Sequence, residues 1–165
     1  MSERVARTLA LPDEQVDRVR HAAELHDVGK VAIPDEILNQ PRPLKEHEWE
    51  FIRRHTLIGE RIIAAAPALV EVASLVRSTH ERWDGAGYPD GLVGSEIPLG
   101  SRIVAVADSF DAMTSDRPYS RPRTPEAALQ ELRDCAGTQF DPVVIDAFCS
   151  AWAEHAVAVP VQAGR

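Results

Sequence analysis

Five side chains with metal-ligand chemistry, His26, Asp27, His55, His80 and Asp108, fall in four separate segments of this chain. A fold that uses them must bring them to one point, and that demand constrains the sequence more than any other feature. The first two are adjacent, in LHDVGKVAIPDEIL, with Gly29 and Lys30 close behind. A carboxylate can bridge two metals with its two oxygens while a neighbouring imidazole binds one of them, so a His-Asp pair suits a two-metal centre. Imidazole and carboxylate together suit Fe, Mn, Zn or Ni. Two metals about 3.5–4 Å apart clamp a phosphate for in-line attack. Lys30 would then contact a phosphate oxygen and offset developing charge. Lys30 and Lys45 are the only two lysines, which separates Lys30 from a general surface charge. The set points to a metal-dependent phosphohydrolase.

The periodicity is helical nearly throughout. Pro12-Asp13-Glu14 opens a segment with Val16, Val19, Ala22, Ala23 and His26 at helical spacing, ended by Gly29. Ile33 to Leu38 reads as a loop leading into a short helix, and Gln40-Pro41-Arg42-Pro43 as a breaker. One long pattern from Leu44 carries Trp49, Ile52, His55, Ile58, Ile62 and Ile63. Pro67 interrupts it, and Val70, Ala73, Val76 and His80 continue on the next helix. The stretch from Asp84 to Gly100 holds five glycines and two prolines. Loops of that length are usually functional or disordered, and Trp83, Tyr88, Leu92 and Ile97 argue for order. Helices follow from about Ser101, from Thr124 to Ala136 and from Asp141 to His155. Asp141 is placed to cap the last of them, with Pro142 at its first position. Trp49, Trp83 and Trp152 read as core residues. His21, His47 and His155 read as surface or packing residues, and Asp111 as local support. The expectation is an all-α domain.

Composition sets outer bounds. A chain of 165 residues with 44% hydrophobic and 27% charged residues is that of one ordinary globular domain. A net charge of −8 argues against a surface that coats nucleic acid. No apolar run approaches the roughly 20 residues that span a bilayer, and MSERVARTLALPDEQ lacks the apolar stretch of a signal peptide. A soluble, cytoplasmic protein without a membrane partner is expected. Cys135 and Cys149 belong to no CxxC motif and are expected to be free thiols.

The stretches HDVGKVAIPDEIL, RRHTLIGERII, HERWDGAGYPDGLVGSEIPLGSRIVAVADSFDAMTSDRPYS and GTQFDP resemble the HD-GYP family of the HD phosphohydrolase superfamily. The resemblance implies an all-α HD-domain helical bundle with a long ordered GYP loop. It implies a bacterial signalling hydrolase, a phosphodiesterase that opens cyclic di-GMP by two-metal activation of water. The metals implied are divalent and two in number, Fe or Mn, with Zn or Ni as alternatives. Their ligands would be His26, Asp27, His55, His80 and Asp108, with Asp27 the bridge. Asp27 and Lys30 would be catalytic. Lys30, Tyr88 and Arg117 would bind the cyclic dinucleotide substrate. A diguanylate cyclase or other signalling domain docked on the GYP loop, and a homodimer, are the further partners implied.

Departures from the family pattern sit beside these matches. The family carries another histidine ligand on the helix before the one that ends in His26. Aligning Ala10-Leu11-Pro12 with the family's inter-helix turn sets it upstream of Met1, and a looser alignment sets it on Met1 itself. Residues 1–165 therefore read as a single domain lacking most of its first helix, with 156–165 a frayed tail. Thr79-His80-Glu81 stands where the family has His-His-Glu, and Ser120 where it has a basic residue. Two other functions follow from these departures. One is a degenerate module that binds a nucleotide or signalling partner without catalysis. The other is an HD phosphohydrolase acting on another nucleotide.

Overall fold

Valine, isoleucine and alanine at helical spacing shape nine helices among the described residues, which in this computed structural model are 1–38, 42–116 and 121–158. They are α1 (Ser2–Thr8), α2 (Asp13–Leu25), α3 (Asp35–Leu38), α4 (Glu46–Arg53), α5 (His55–Ala64), α6 (Val70–Arg77), α7 (Leu99–Thr114), α8 (Pro125–Asp134) and α9 (Pro142–Ala158), with 3-10 turns at Val28–Ala32, Pro67–Leu69 and Gly94–Glu96. The described residues carry no strand beyond two isolated bridges. None of their helices is long and apolar enough to cross a membrane. The expected tail lies, from 159 onward, outside the described residues, as do Gln40 and Pro41.

The residues before Pro12 form α1, where Val5 and Ala6 are fully buried. This two-turn helix packs on α2, α7 and α9. Arg7 ties it to Glu3 and to Asp13 at the start of α2, each at 3.1 Å. The apolar face of α2, Val16, Val19 and Ala22, is buried where the helix meets α1, α6 and α7. On the far side of α7, Phe110 packs on Phe148 and Trp152 of α9, with ring centroids 5.1 and 4.5 Å apart. Burying a large apolar side chain such as Phe148 or Leu132 is worth about 1.5–3 kcal/mol. Thr124 caps α8 through Ala127 N–H, and Asp141 accepts from Val143 N–H at the start of α9. The free thiols Cys135 and Cys149 are half-buried.

Three sequence expectations need correction. The long helix read from Leu44 is broken at Arg54 into α4 and α5. His55 Nδ1 meets the Ile52 carbonyl at 2.6 Å, and the Thr56 hydroxyl donates to Arg53 O at 3.3 Å. Such local capture of backbone groups competes with the helical ladder. Trp49 is 44% exposed rather than in the core, because the break turns its face of α4 to solvent. His80 lies beyond the end of α6, in the turn that follows Arg77, where the Thr79 hydroxyl donates to Val76 O at 2.9 Å.

Gly29 lets the chain after α2 lie directly on α5. A Cβ there would stand 1.9 Å from the His55 carbonyl oxygen and 2.6 Å from Gly59 N. This close approach brings the HDVGK segment and His55 into register.

Candidate metal centre

Each ligand-type side chain is delivered by the end of an element or by the middle of α7. His26 follows α2, Asp27 precedes the 3-10 turn, His55 opens α5, His80 follows α6, and Asp108 is on α7. The five converge. His26 Nε2 lies 3.5 Å from Asp27 Oδ2 and 3.5 Å from Asp108 Oδ1. His55 Nε2 lies 3.7 Å from Asp27 Oδ1. The ligand atoms of Asp27, His55 and His80 all fall within 4.8 Å of one another. His55 and His80 meet edge to face, with centroids 4.9 Å apart.

His26 and His55 are oriented by the same device. His26 Nδ1 meets Ala23 O at 2.8 Å, and His55 Nδ1 meets Ile52 O at 2.6 Å, each three residues back. The Nδ1–H donates there, so Nε2 carries the lone pair that faces the cluster. The buried Nε2 atoms of His26, His55 and His80 and Asp27 Oδ1 have no hydrogen-bond partner. Buried polar atoms are nearly always satisfied. Three of these acceptors, on Asp27, His55 and His80, lie close enough together to fit a divalent cation, and His26 Nε2 stands beside them, 3.5 Å from Asp27 Oδ2; these residue types are those that hold one.

Lys30 Nζ donates to Asp27 Oδ2 at 2.7 Å, so the lysine stands at the rim of the cluster. Tyr88 stacks on His80, centroids 5.2 Å apart and planes 11° from parallel. Its N–H donates to His80 O. Burial, with Asp27 and Asp108 nearby, pushes the Tyr88 hydroxyl up to about 12 despite Arg53, so it remains protonated. Asp111 lines a neighbouring cavity of about 420 Å³ with His26, Asp108 and Trp152, and accepts from the Ser115 hydroxyl. Arg117 and Ser120 lie outside the described residues.

The GYP loop is held from two sides. Glu81, 5% exposed, accepts backbone N–H groups of Asp90, Gly91 and Leu92 at 2.7, 3.2 and 3.1 Å. Arg77 clamps Asp90 at 2.7 and 2.8 Å and also reaches Glu60. At the loop's root, Trp83 N–H and Asp84 N–H donate to Gln139 O and Thr138 O, in the GTQFDP turn. Arg102 closes this corner on Asp141 at 2.7 Å, with its guanidinium 5.7 Å from the Trp83 ring centroid. Sequence reasoning gave Glu81 no role of its own. Gly87 packs so closely that a Cβ would stand 2.3 Å from Arg82 N.

The electrostatics split the histidines. Burial, reinforced by His55, drives His80 down to about 4. Burial also lowers His55. Burial opposes charge on His26, but Asp108, the Ala23 carbonyl and Asp27 outweigh it and raise its pKa. The His26 imidazole, 3.5 Å away, in turn holds Asp108 below the usual carboxylate range, against the effect of burial. For metal-free protein, the unfolded chain binds a proton at His80 between the ordinary 6.5 and about 4 that the folded chain refuses. Stability should therefore fall as pH drops through that window, by up to roughly 3 kcal/mol from His80. His26 acts oppositely. Its contribution is fully present below the unfolded value and is lost as pH rises through its folded value. Urea titrations of EDTA-treated protein from pH 8 to 4.5 should show a maximum near pH 6.5. Stability that keeps rising into acid would contradict the assignment.

An all-α bundle that gathers imidazoles and carboxylates from helix ends, under a loop stapled across them, is an HD-type domain. The chain belongs to the HD domain family, which matches residues 1–144, and within it to the HD-GYP group. It is 45% identical over 150 residues to a protein of Thermotoga maritima named cyclic di-GMP phosphodiesterase, covering 90% of this chain and 41% of that one. It is 48% identical over 145 residues to the cyclic di-GMP phosphodiesterase response regulator RpfG of Xanthomonas campestris, covering 87% and 38%. A 3'3'-cGAMP-specific phosphodiesterase 2 of Vibrio cholerae is 40% identical over 154 residues, covering 92% and 30%. The chain thus spans less than half the length of these relatives. The crystal structure of a Vibrio cholerae cyclic GMP-AMP specific phosphodiesterase shares the fold, with a TM-score of 0.69 at 22% identity over 96% of this chain and 42% of that one.

Proposed function

We propose that this chain is a metal-dependent phosphodiesterase that hydrolyses cyclic di-GMP. The observation that carries the reading is the set of four buried, unpartnered acceptor atoms on His26, Asp27, His55 and His80. With Asp108 these residues would hold two divalent metals, Fe or Mn with Zn or Ni as alternatives, all of which suit imidazole and carboxylate donors. Bound there, such metals supply Lewis acidity toward a phosphate oxygen and toward water.

The chain's own residues supply the rest. The Ala23 and Ile52 carbonyls fix the His26 and His55 tautomers. His80 stays neutral at physiological pH, which leaves one ring nitrogen with a lone pair for a metal. Asp27 would hold the metals through its carboxylate, and Lys30, held on it at 2.7 Å, donates to a non-bridging oxygen of the scissile phosphate. The Tyr88 hydroxyl, protonated, donates to the substrate. Arg117 is assigned to substrate by its motif alone.

Protein stripped with EDTA should lose turnover of cyclic di-GMP, and Mn²⁺ or anaerobic Fe²⁺ should restore it. Folded, metal-loaded protein without turnover would defeat the reading. The relatives' names also make 3'3'-cGAMP a necessary second substrate in the assay.

One observation favours a non-catalytic alternative. The Thr79 hydroxyl is spent on Val76 O, so it adds no ligand where the family pattern has imidazole. In that reading the GYP loop docks a diguanylate cyclase domain. Metal content below one ion per chain, with tight nucleotide binding, would support it. Light scattering on the same sample tests the expected homodimer.

A further inference from the structure

Several arginines stand around the GYP loop, and most are committed. Arg82 binds Asp84 at 3.0 and 2.7 Å. Arg77 is taken by Asp90 and Glu60, and Arg102 by Asp141. Arg53 differs. Among the described residues its guanidinium enters no hydrogen bond or ion pair, and its one recorded contact is with Tyr88, 5.7 Å from the ring centroid. Arg53 ends α4 and is exposed, two residues before the buried His55. It lines a cavity of about 240 Å³ with His80, Gly87, Tyr88, Asp108 and Ser109. An unpaired guanidinium held over an aromatic face, at the mouth of a cavity that reaches two of the ligand residues, is placed to receive a ligand rather than to solubilise a helix.

We infer that Arg53 is a substrate-recognition residue that donates to a pair of acceptors on the cyclic dinucleotide outside the scissile phosphodiester. A guanidinium presents five donors in a fixed planar fork. Two features of the substrate offer matching acceptors: the second phosphate, and the O6/N7 edge of guanine. Lys30 is already engaged at Asp27, 2.7 Å away, and so serves the reacting phosphate. The Tyr88 ring face restrains the Arg53 cation and leaves its N–H donors available to substrate. The inference rests on the phosphodiesterase reading for the identity of the ligand.

The test uses metal-loaded protein and two substrates. Bis(p-nitrophenyl) phosphate has one phosphodiester, no second phosphate and no base. Cyclic di-GMP competing against its turnover should half-inhibit Arg53→Ala protein at a concentration about tenfold to a hundredfold higher than wild type, the effect of one charge-assisted contact. Arg53→Lys should recover little, because the fork is lost. In kcat/KM, Arg53→Ala should lose at least about tenfold more on cyclic di-GMP than on the small diester. Competition by cyclic di-AMP separates the sources. A loss confined to cyclic di-GMP assigns the guanine edge, and an equal loss for both assigns the second phosphate. Equal losses on cyclic di-GMP and the small diester, or unchanged inhibition, overturn the inference. If wild type cleaves neither substrate, the phosphodiesterase reading fails. Calorimetric titration of cyclic di-GMP into wild type and Arg53→Ala then decides Arg53, with equal or absent binding counting against it.

Discussion

Asp27→Asn protein should retain its fold, lose its metals, and turn over cyclic di-GMP at least about a hundredfold more slowly than wild type. One carboxylate makes three of the cluster's polar contacts, with His26 Nε2 at 3.5 Å, His55 Nε2 at 3.7 Å and Lys30 Nζ at 2.7 Å. The amide keeps the shape but carries no charge. Lys30 would then face the three imidazoles without its counter-ion, and one oxygen of the proposed bridge becomes a donor. Removing charge from a half-exposed aspartate costs the fold little, so the thermal transition of metal-free protein should move by only a few degrees. Elemental analysis together with turnover is the measurement. Stoichiometric metal and wild-type rates in Asp27→Asn would exclude Asp27 as the bridge.

Glu81→Ala should be the most destabilising single change near the site outside the apolar core. Its buried carboxylate accepts three consecutive backbone N–H groups. Each charge-assisted bond is worth about 1.5–3 kcal/mol, and water can replace part of that once the loop lifts. A net loss of about 3–5 kcal/mol is expected, or roughly 10 °C in melting temperature for a domain of this size. The loop carries Tyr88, which stacks on His80, so activity should fall with it. Glu81→Gln should recover part of the loss, since one carbonyl oxygen still accepts. Hydrogen exchange at residues 90–92 reads the effect directly. Unchanged protection there in Glu81→Ala would show that Arg77 alone holds the loop.

Much of this arrangement was legible in the sequence, and the limits have a physical cause. Val16, Val19 and Ala22, or Ile103, Val104 and Phe110, declare a buried helical face because spacing along a helix is a local property. The HDVGK segment with His55, His80 and Asp108 declares a gathered site because imidazoles and carboxylates in those motifs have few other uses. The break at Arg54 was hidden, since it is marked by the His55 and Thr56 side chains bonding back to carbonyls of the preceding turn. With that break unseen, Trp49 read as core. Glu81 was passed over because its bonds reach nine to eleven residues ahead, into a loop with no repeating pattern. Arg53 resembled any helical surface arginine until the fold brought Tyr88 beside it.

The paired imidazole-to-carbonyl bonds at Ala23 and Ile52 tie the ends of two helices to the aim of two ligand rings. A substitution that lengthens α2 or rejoins α4 to α5 would re-aim those carbonyls and swing the rings off the cluster, even with all five ligand-type residues intact. Engineering of this domain therefore has no separable handle for scaffold rigidity and for the centre's geometry along these two helices. Variants selected for a stiffer bundle there should be screened first for the direction in which Nε2 points.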